Sequence, residues 1–250
     1  VTDVNWTKPA GWMASFFRQF FIQGSWNFRS MLGSGFAYCM IPLLRRRGLS
    51  GDALDEAVRS HMGTFNSHPY LVGIALGAVA RMEDSGTDAE TIEKFKRAIQ
   101  GSLGGLGDLL IWGAWLPATI LLALVLAWAG TPPWVPVGVF LILYNAGHLA
   151  LRWWAYSQGL EYGKDVGVRI RGAELSRLAE RAFSGGGVLL GILAGVFLVS
   201  HLVGEGAVVL WAFAGFAAFG LGLKFGHRAL RSTTFVLVLV ITLIMALGNA

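Results

Sequence analysis

Between Asp108 and Arg152 the chain carries no charged side chain. So long a stretch cannot be the water-facing part of a fold; it must lie in lipid or in a protein core. Gly130-Thr131-Pro132-Pro133 divides it, a turn signal between two apolar runs, about Leu109–Ala129 and Trp134–Leu151. Each run is long enough to cross a hydrocarbon core of about 30 Å. A second gap, Ala182 to Leu223, is broken only by Glu205 and reads as two more spans, about Gly187–Val203 and Val208–Leu223. A last one, Thr233–Leu247, has no charge at all. The expected fold is an all-α integral membrane protein with about five transmembrane helices.

Composition agrees. Apolar residues make up 54% of the chain and charged residues 14%, against roughly 25% charged in an ordinary soluble domain. Mean hydropathy is +0.57. A soluble monomer and a disordered chain are both excluded. The 34 glycines point to closely packed helices. Cys39 is the one cysteine, so there is no intramolecular disulfide. The first residues lack the basic and apolar regions of a signal peptide, and Val1 predicts a removed initiator methionine.

The loops set an orientation. Thr131-Pro132-Pro133 and Gly204-Glu205-Gly206 contain no Lys or Arg, whereas Arg152 to Arg181 and Lys224 to Arg231 are basic. The positive-inside rule places the basic loops and the N-terminus in the cytoplasm and the C-terminus outside. Trp128 and Trp134 flank the outer turn, and Trp112, Trp115, Trp153 and Trp154 mark the inner ends of the same hairpin.

The first hundred residues differ. Phe16 to Ile22 is amphipathic or interfacial, and Met31–Leu44 and Tyr70–Ala80 are apolar but too short to span, so they suit re-entrant or buried segments. Asp52–Met62 and Thr87–Gln100 read as solvated amphipathic helices. The second opens on a Thr87-x-x-Glu90 capping box and carries Glu90–Lys94 and Glu93–Arg97 pairs. Charges from Arg45 to Gln100 balance, which suits a cytosolic face and not a nucleic-acid patch. The expected organisation is a cytoplasm-facing region over 1–100, a glycine-rich break and first hairpin over 101–156, a cytoplasmic linker over 157–184 and three spans over 185–250.

Several motifs could meet a polar solute. Gly101-Ser102-Leu103-Gly104-Gly105-Leu106-Gly107 reads as a helix break, and Asp108 is the sole charge between Arg97 and Arg152. An acid there marks a functional site, although a helix N-cap explains it as well. Gln23-Gly24-Ser25-Trp26-Asn27-Phe28 mixes amide, hydroxyl and indole, the groups that bind sugars; an interfacial turn explains it equally. Phe65-Asn66-Ser67-His68-Pro69-Tyr70 is a polar knot in which Pro69 disfavours helix at His68. His61, His68 and Cys39 lack compact ligand spacing, so no metal is expected, and no cofactor or catalytic nucleophile is legible. Gly187, Gly191 and Gly195 form a packing stripe. Asn145 and His148, inside the second span, are bundle contacts or substrate contacts. His201 and Glu205 read as outer-loop residues.

In order along the chain, these motifs resemble the IID subunit of the mannose/fructose/sorbose family of the phosphoenolpyruvate-dependent sugar phosphotransferase system (PTS). The resemblance rests on Phe21 to Phe28, Gly35-Phe36-Ala37-Tyr38, Pro42 with Arg45 and Arg46, and Phe65 to Tyr70. It continues through Glu83-Asp84, Gly101 to Asp108, Trp112-Gly113, Tyr144-Asn145 and Leu149 to Trp154. It implies a multi-pass subunit of the bacterial inner membrane that pairs with IIC to form a sugar translocation unit, as a trimer of IIC–IID pairs. IIA and IIB proteins would supply phosphoryl groups to a hexose-type sugar. The subunit itself would carry no phosphorylated residue, so it would belong to a transferase complex without a nucleophile of its own. By resemblance, Gln23, Ser25, Trp26, Asn27, Asn66, His68 and Asp108 line or support the substrate path. Departures are present. His68 stands for a usual Gln, His148 for a usual Arg, and Leu116-Pro117 for an Arg-Pro pair. The glycine-rich loop is also altered, and the connection near Glu205 is shorter. They leave two alternatives to a sugar permease: a membrane scaffold or sensor that keeps the IID fold, or an ion-coupled secondary transporter using Asp108.

Overall fold

The computed structural model describes residues 11–128 and 130–172. The three spans expected beyond residue 184, the Gly187–Gly195 stripe, His201 and Glu205 lie outside these residues. The described chain is helical, joined by turns and two isolated β-bridges. Two compact units divide it.

The first unit, residues 11–113 and 141–172 of those described, holds the core. Helix α1 (Trp12–Arg18) runs into a 3-10 turn, Gln19–Phe21, and packs on α2 (Gly33–Arg46). α2 buries Phe36, Cys39, Met40 and Leu43 on one face, the i, i+3, i+4, i+7 pattern of a core-facing helix. Pro42 lies inside α2 and removes the donor that would meet the Tyr38 carbonyl. Arg18 compensates: its Nη1 donates to Tyr38 O at 2.9 Å, and its guanidinium covers the Tyr38 ring at 4.3 Å. Gly11, at φ 86°, starts α1 where a Cβ would press on the Pro42 carbonyl.

Helix α3 (Gly51–Ser60) is the solvated element expected, with Leu54, Ala57 and Val58 half-buried against the core. Helix α4 (Val72–Asp84) is buried all round from Val72 to Ala80. The short apolar run at Tyr70–Ala80 is thus a core helix within the chain. Its neighbour is the lower part of α7 (Trp134–Tyr162): Gly73 and Gly77 face Tyr156 and Leu160, and Gly159 faces Ile74 and Ala78. The C-terminal end of α7 is closed by Gly163 at φ 54° and by Arg81, whose Nη1 donates to Glu161 O, a cation at a helix C-terminus. A 3-10 turn, Gly163–Asp165, leads to α8 (Val166–Gly172).

Helix α5 (Ala89–Gly107) differs from expectation at both ends. Its N-cap is Asp88, which accepts from Thr91 N–H at 2.9 Å and from the Thr91 hydroxyl at 2.8 Å, so the Thr87–Glu90 box is not the cap. Both predicted ion pairs form: Glu90–Lys94 at 2.7 Å and Glu93–Arg97 at 3.2 Å. The glycine run does not break the helix. Ile99 and Leu103 anchor it to the core, and the backbone stays α-helical through Gly107. Asp108 continues the helical backbone at φ −59°, ψ −43°, so it is not an N-cap. Departure from α geometry comes after it, as a π-helical segment, Asp108–Trp115.

At the far end of α4 a charged network ties three helices. Arg47 pairs with Glu83 and lies 3.9 Å from Asp84, and the buried His61 places Nε2 3.2 Å from Glu83 Oε1. Burial alone would raise the Glu83 carboxyl. The neighbouring His61 imidazole and Arg47 guanidinium outweigh it, and the group sits below the ordinary glutamate value of 4.5. A carboxyl depressed in the folded state contributes stability that is complete above its unfolded pKa and lost as pH falls through the folded one. Glu83→Gln should therefore cost roughly 1–3 kcal/mol near neutrality. The gap to the unsubstituted chain should close below pH 4.5. Thermal unfolding in detergent at stepped pH measures it; a gap independent of pH would show that the charge is not what holds the network.

In the second unit, residues 114–140 of those described, α6 (Leu116–Trp128) ends in the predicted turn. Gly130 takes φ 75°, with Gly130 N–H to Ala127 O at 3.1 Å and Thr131 N–H to Leu126 O at 3.3 Å. That is a Schellman closure, followed by Pro132 and Pro133, which cannot continue a helix. The helical stretches Ala89–Leu124 and Trp134–Ile170 are each long and apolar enough to cross a membrane.

Candidate functional site

The loop after Ile22 is built from consecutive turns, Gly24 N–H to Phe21 O and Trp26 N–H to Gln23 O. Asn27 shapes it. Oδ1 accepts from Arg29 N–H at 3.0 Å and Ser30 N–H at 2.9 Å, while Nδ2 donates to Ser25 O at 3.1 Å and Ser30 Oγ at 2.9 Å. All four hydrogen bonds of the amide stay inside the loop, which is Asx-turn chemistry. Gln23, Ser25 and Trp26 keep exposed side chains, with the Trp26 ring edge-on to Phe28.

This loop is stitched to the polar knot. Met31, at φ 54°, bridges to Phe65, with Leu32 N–H to Phe65 O at 2.8 Å and Phe65 N–H to Ser30 O at 3.3 Å. The Thr64 hydroxyl donates to Arg29 O at 3.2 Å. Gly33 permits the approach, since a Cβ there would overlap the Gly63 carbonyl oxygen. Phe65 is buried against Phe36. Asn66 has an exposed side chain, and its N–H donates to Gln100 Oε1 at 2.8 Å. Beside it a cavity of about 460 Å³ is lined by Gly63, Thr64, Glu93, Arg97 and Gln100, none of which the sequence marked as a site residue.

His68 is 2% exposed. Its Nδ1 accepts from Tyr70 N–H at 3.2 Å, which assigns the proton to Nε2. Gly107 lies directly on the ring: a Cβ there would overlap His68 Cβ and Cγ. Tyr70 and Trp112 stand edge-on to the imidazole at 5.0 and 5.9 Å. Asp108, the next residue after Gly107, has an exposed side chain. Segments distant in sequence (Ser25–Met31, Phe65–His68 and Gly107-Asp108) thus become neighbours in series.

A fourth set of side chains joins them. Arg152, which the sequence places at the start of a basic loop, is instead 5% exposed. Its Nη1 donates to Gln19 O at 3.1 Å, and its guanidinium lies over the rings of Phe20 and Tyr70 at 5.1 and 4.6 Å. Tyr70 meets Tyr144 hydroxyl to hydroxyl at 3.0 Å and stacks on His148 at 4.9 Å. Asn145 and His148 bond each other at 3.1 Å, and Asn145 Nδ2 reaches Leu141 O. Tyr70, Tyr144 and Arg152 went unread as site residues because each is ordinary in type; contacts between the knot and α7 are what bring them together. Among the described residues no cluster of three or more His, Cys, Asp and Glu is placed to hold a metal.

Among the described residues the chain is all helical and two of its helices are long and apolar enough to cross a membrane, which agrees with an α-helical membrane protein. Over residues 9–205 the sequence matches the family model "PTS system mannose/fructose/sorbose family IID component", and the chain belongs to that family. It is 31% identical over 184 residues to the PTS system mannose-specific EIID component of Escherichia coli K12, covering 71% of this chain and 64% of that protein. It is 30% identical over 183 residues to the fructose permease IID component of Bacillus subtilis, covering 71% and 66%. The alignments thus span just under two thirds of these relatives' length. In fold, it is similar to a chain in the cryoEM structure of the mannose transporter ManYZ with microcin E492, at 23% identity and TM-score 0.58, covering 98% and 97% of the two chains. It is also similar to a structure described as a membrane protein, at 23% identity and TM-score 0.66, covering 96% and 95%.

Proposed function

We propose that the chain is the membrane IID subunit of a mannose-family sugar phosphotransferase permease. It pairs with a IIC subunit, as a trimer of such pairs, to form the translocation unit for phosphorylation-coupled uptake of a hexose-type sugar. IIA and IIB proteins donate the phosphoryl group from the cytoplasm. The observation that carries the reading is the meeting of the loop around Asn27, the knot at Asn66–His68 and the Gly107-Asp108 step. In it, exposed Gln23, Ser25, Trp26, Asn66 and Asp108 offer amide, hydroxyl, indole and carboxylate groups to a polyhydroxyl solute. Asn27 supports by holding the loop, and His68 by its fixed Nε2–H. The distribution of Lys and Arg among the loops supports a cytoplasmic N-terminus and an extracytoplasmic C-terminus.

Uptake in cells that carry this chain with its IIC, IIA and IIB proteins tests the proposal. Labelled mannose, fructose or sorbose should accumulate as the phosphate ester, and accumulation should stop when IIB is deleted. Uptake that survives without IIB would make the chain part of an ion-coupled carrier. A stable IIC complex with no uptake of any of the three would make it a scaffold.

A further inference from the structure

Tyr70 is gripped by one stripe of α7. Tyr144, His148 and Arg152 stand at i, i+4 and i+8, a single helical face. Each meets a different part of the same side chain: Tyr144 its hydroxyl at 3.0 Å, His148 one ring face at 4.9 Å and an interplanar angle of 24°, and Arg152 the ring at 4.6 Å. On its other side, Tyr70 sets the orientation of His68. Its backbone N–H occupies Nδ1, and its ring stands edge-on to the imidazole at 82°. His68 Nε2 is buried and has no hydrogen-bond partner within the protein. With Nδ1 occupied as an acceptor, Nε2 carries the proton and is a donor held in one direction. Gly107 packs against His68 at Cβ and Cγ. Every link of this chain of contacts lies in the first compact unit.

We infer that Tyr70 is a positioning residue: it transmits the register of α7 to the Asn66–His68 segment and holds the His68 Nε2–H ready for a hydroxyl oxygen of the solute. The inference deepens the permease reading and rests on it for the identity of the solute; the clamp itself is a property of the folded chain. In this role Tyr70 acts through His68 and not on the solute itself. Its ring stays packed when the hydroxyl is removed, so Tyr70→Phe and Tyr144→Phe each delete the hydrogen bond that the two hydroxyls share.

Two measurements on the full chain test it. The first is amide hydrogen exchange over residues 66–72 in lipid nanodiscs. Each single variant should speed exchange roughly three- to tenfold, the weight of one buried hydrogen bond. The double variant should do no more than either single, because both remove the same bond. Unchanged exchange in this segment for Tyr144→Phe, 74 residues away in sequence, or additive single effects, would overturn the clamp. The second is uptake by the complete complex of whichever of mannose, fructose and sorbose the unsubstituted cells accumulate. Half-saturation should rise roughly threefold or more while maximal rate per molecule holds; a fall in maximal rate with half-saturation unchanged would overturn the positioning role. Cells that accumulate none of the three sugars refute the permease reading and leave the exchange measurement to decide the clamp.

Discussion

Gly159→Ala should lower the unfolding temperature of the detergent-solubilised chain by about 10 °C, and Gly159→Leu should yield no folded protein. The reason is what a side chain there would strike. A Cβ on Gly159 falls on the Ile74 carbonyl oxygen and close to Ala78 N, and one on the facing Gly77 falls against Leu160 N and Tyr156 O. These obstacles are backbone, so no rotamer change clears them; the two helices must move apart. α4 is buried from Val72 to Ala80, and any separation opens gaps along all of it. Overpacking costs about 1–3 kcal/mol where side chains can yield and more where they cannot. For a chain of this size about 3 kcal/mol is roughly 6–12 °C. Gly105 supplies the contrast within the same unit. Nothing lies within 4 Å of a Cβ there, so Gly105→Ala should stabilise the chain by about 0.5–1 kcal/mol through helix propensity. Equal thermal stability for Gly159→Ala and the unsubstituted chain would remove the close α4–α7 crossing from the fold.

How much of this was visible beforehand depended on whether a signal was local. The hairpin turn was, because Gly130, Pro132 and Pro133 act through their own backbone and the charge gap around them is one-dimensional. The α5 cap was nearly so. Thr87 and Asp88 are both good caps, and the choice fell to Asp88 because its carboxylate reaches both donors of Thr91. The glycine run misled because helix propensity is a weak term. Ile99 and Leu103, buried in the core, override four glycines, and Gly107 is there for the approach of His68. Gly73, Gly77 and Gly159 could not be paired from sequence, since the partner helix lies far along the chain. Of the site, Asn66, His68 and Asp108 were legible as polar residues among apolar ones. What each is joined to was not. His68 and His148 turn out to share one neighbour, the Tyr70 ring.

Arg152 carries the other large expectation, and three substitutions separate its charge from its bulk. The buried guanidinium is held by one carbonyl and two aromatic faces; among the described residues no carboxylate pairs with it. A charged hydrogen bond contributes about 1.5–3 kcal/mol and each cation–π contact about 0.5–2 kcal/mol, set against a desolvation cost of several kcal/mol. Arg152→Ala removes these contacts and leaves a cavity, and should cost roughly 3 kcal/mol of stability. Arg152→Met fills the volume and carries no charge to desolvate, so its thermal stability should stay near that of the unsubstituted chain. Uptake should separate from stability at this point. Arg152 touches the Gln19–Phe21 turn that leads into the Asn27 loop, and it touches Tyr70, which ends the His68 segment. It is the side chain through which α7 holds both halves of the proposed path in register. Without it the halves remain folded but lose their mutual placement, and uptake in the Met variant should fall about tenfold or more, as small misplacements of binding groups do. Arg152→Lys restores the charge but not the planar fork that lies over two rings while reaching a carbonyl, so it should fail in both measurements. A Met variant that transports at the unsubstituted rate would reduce Arg152 to packing, and the register of the two halves would then have to come from the contacts of Arg29–Leu32 with Thr64 and Phe65.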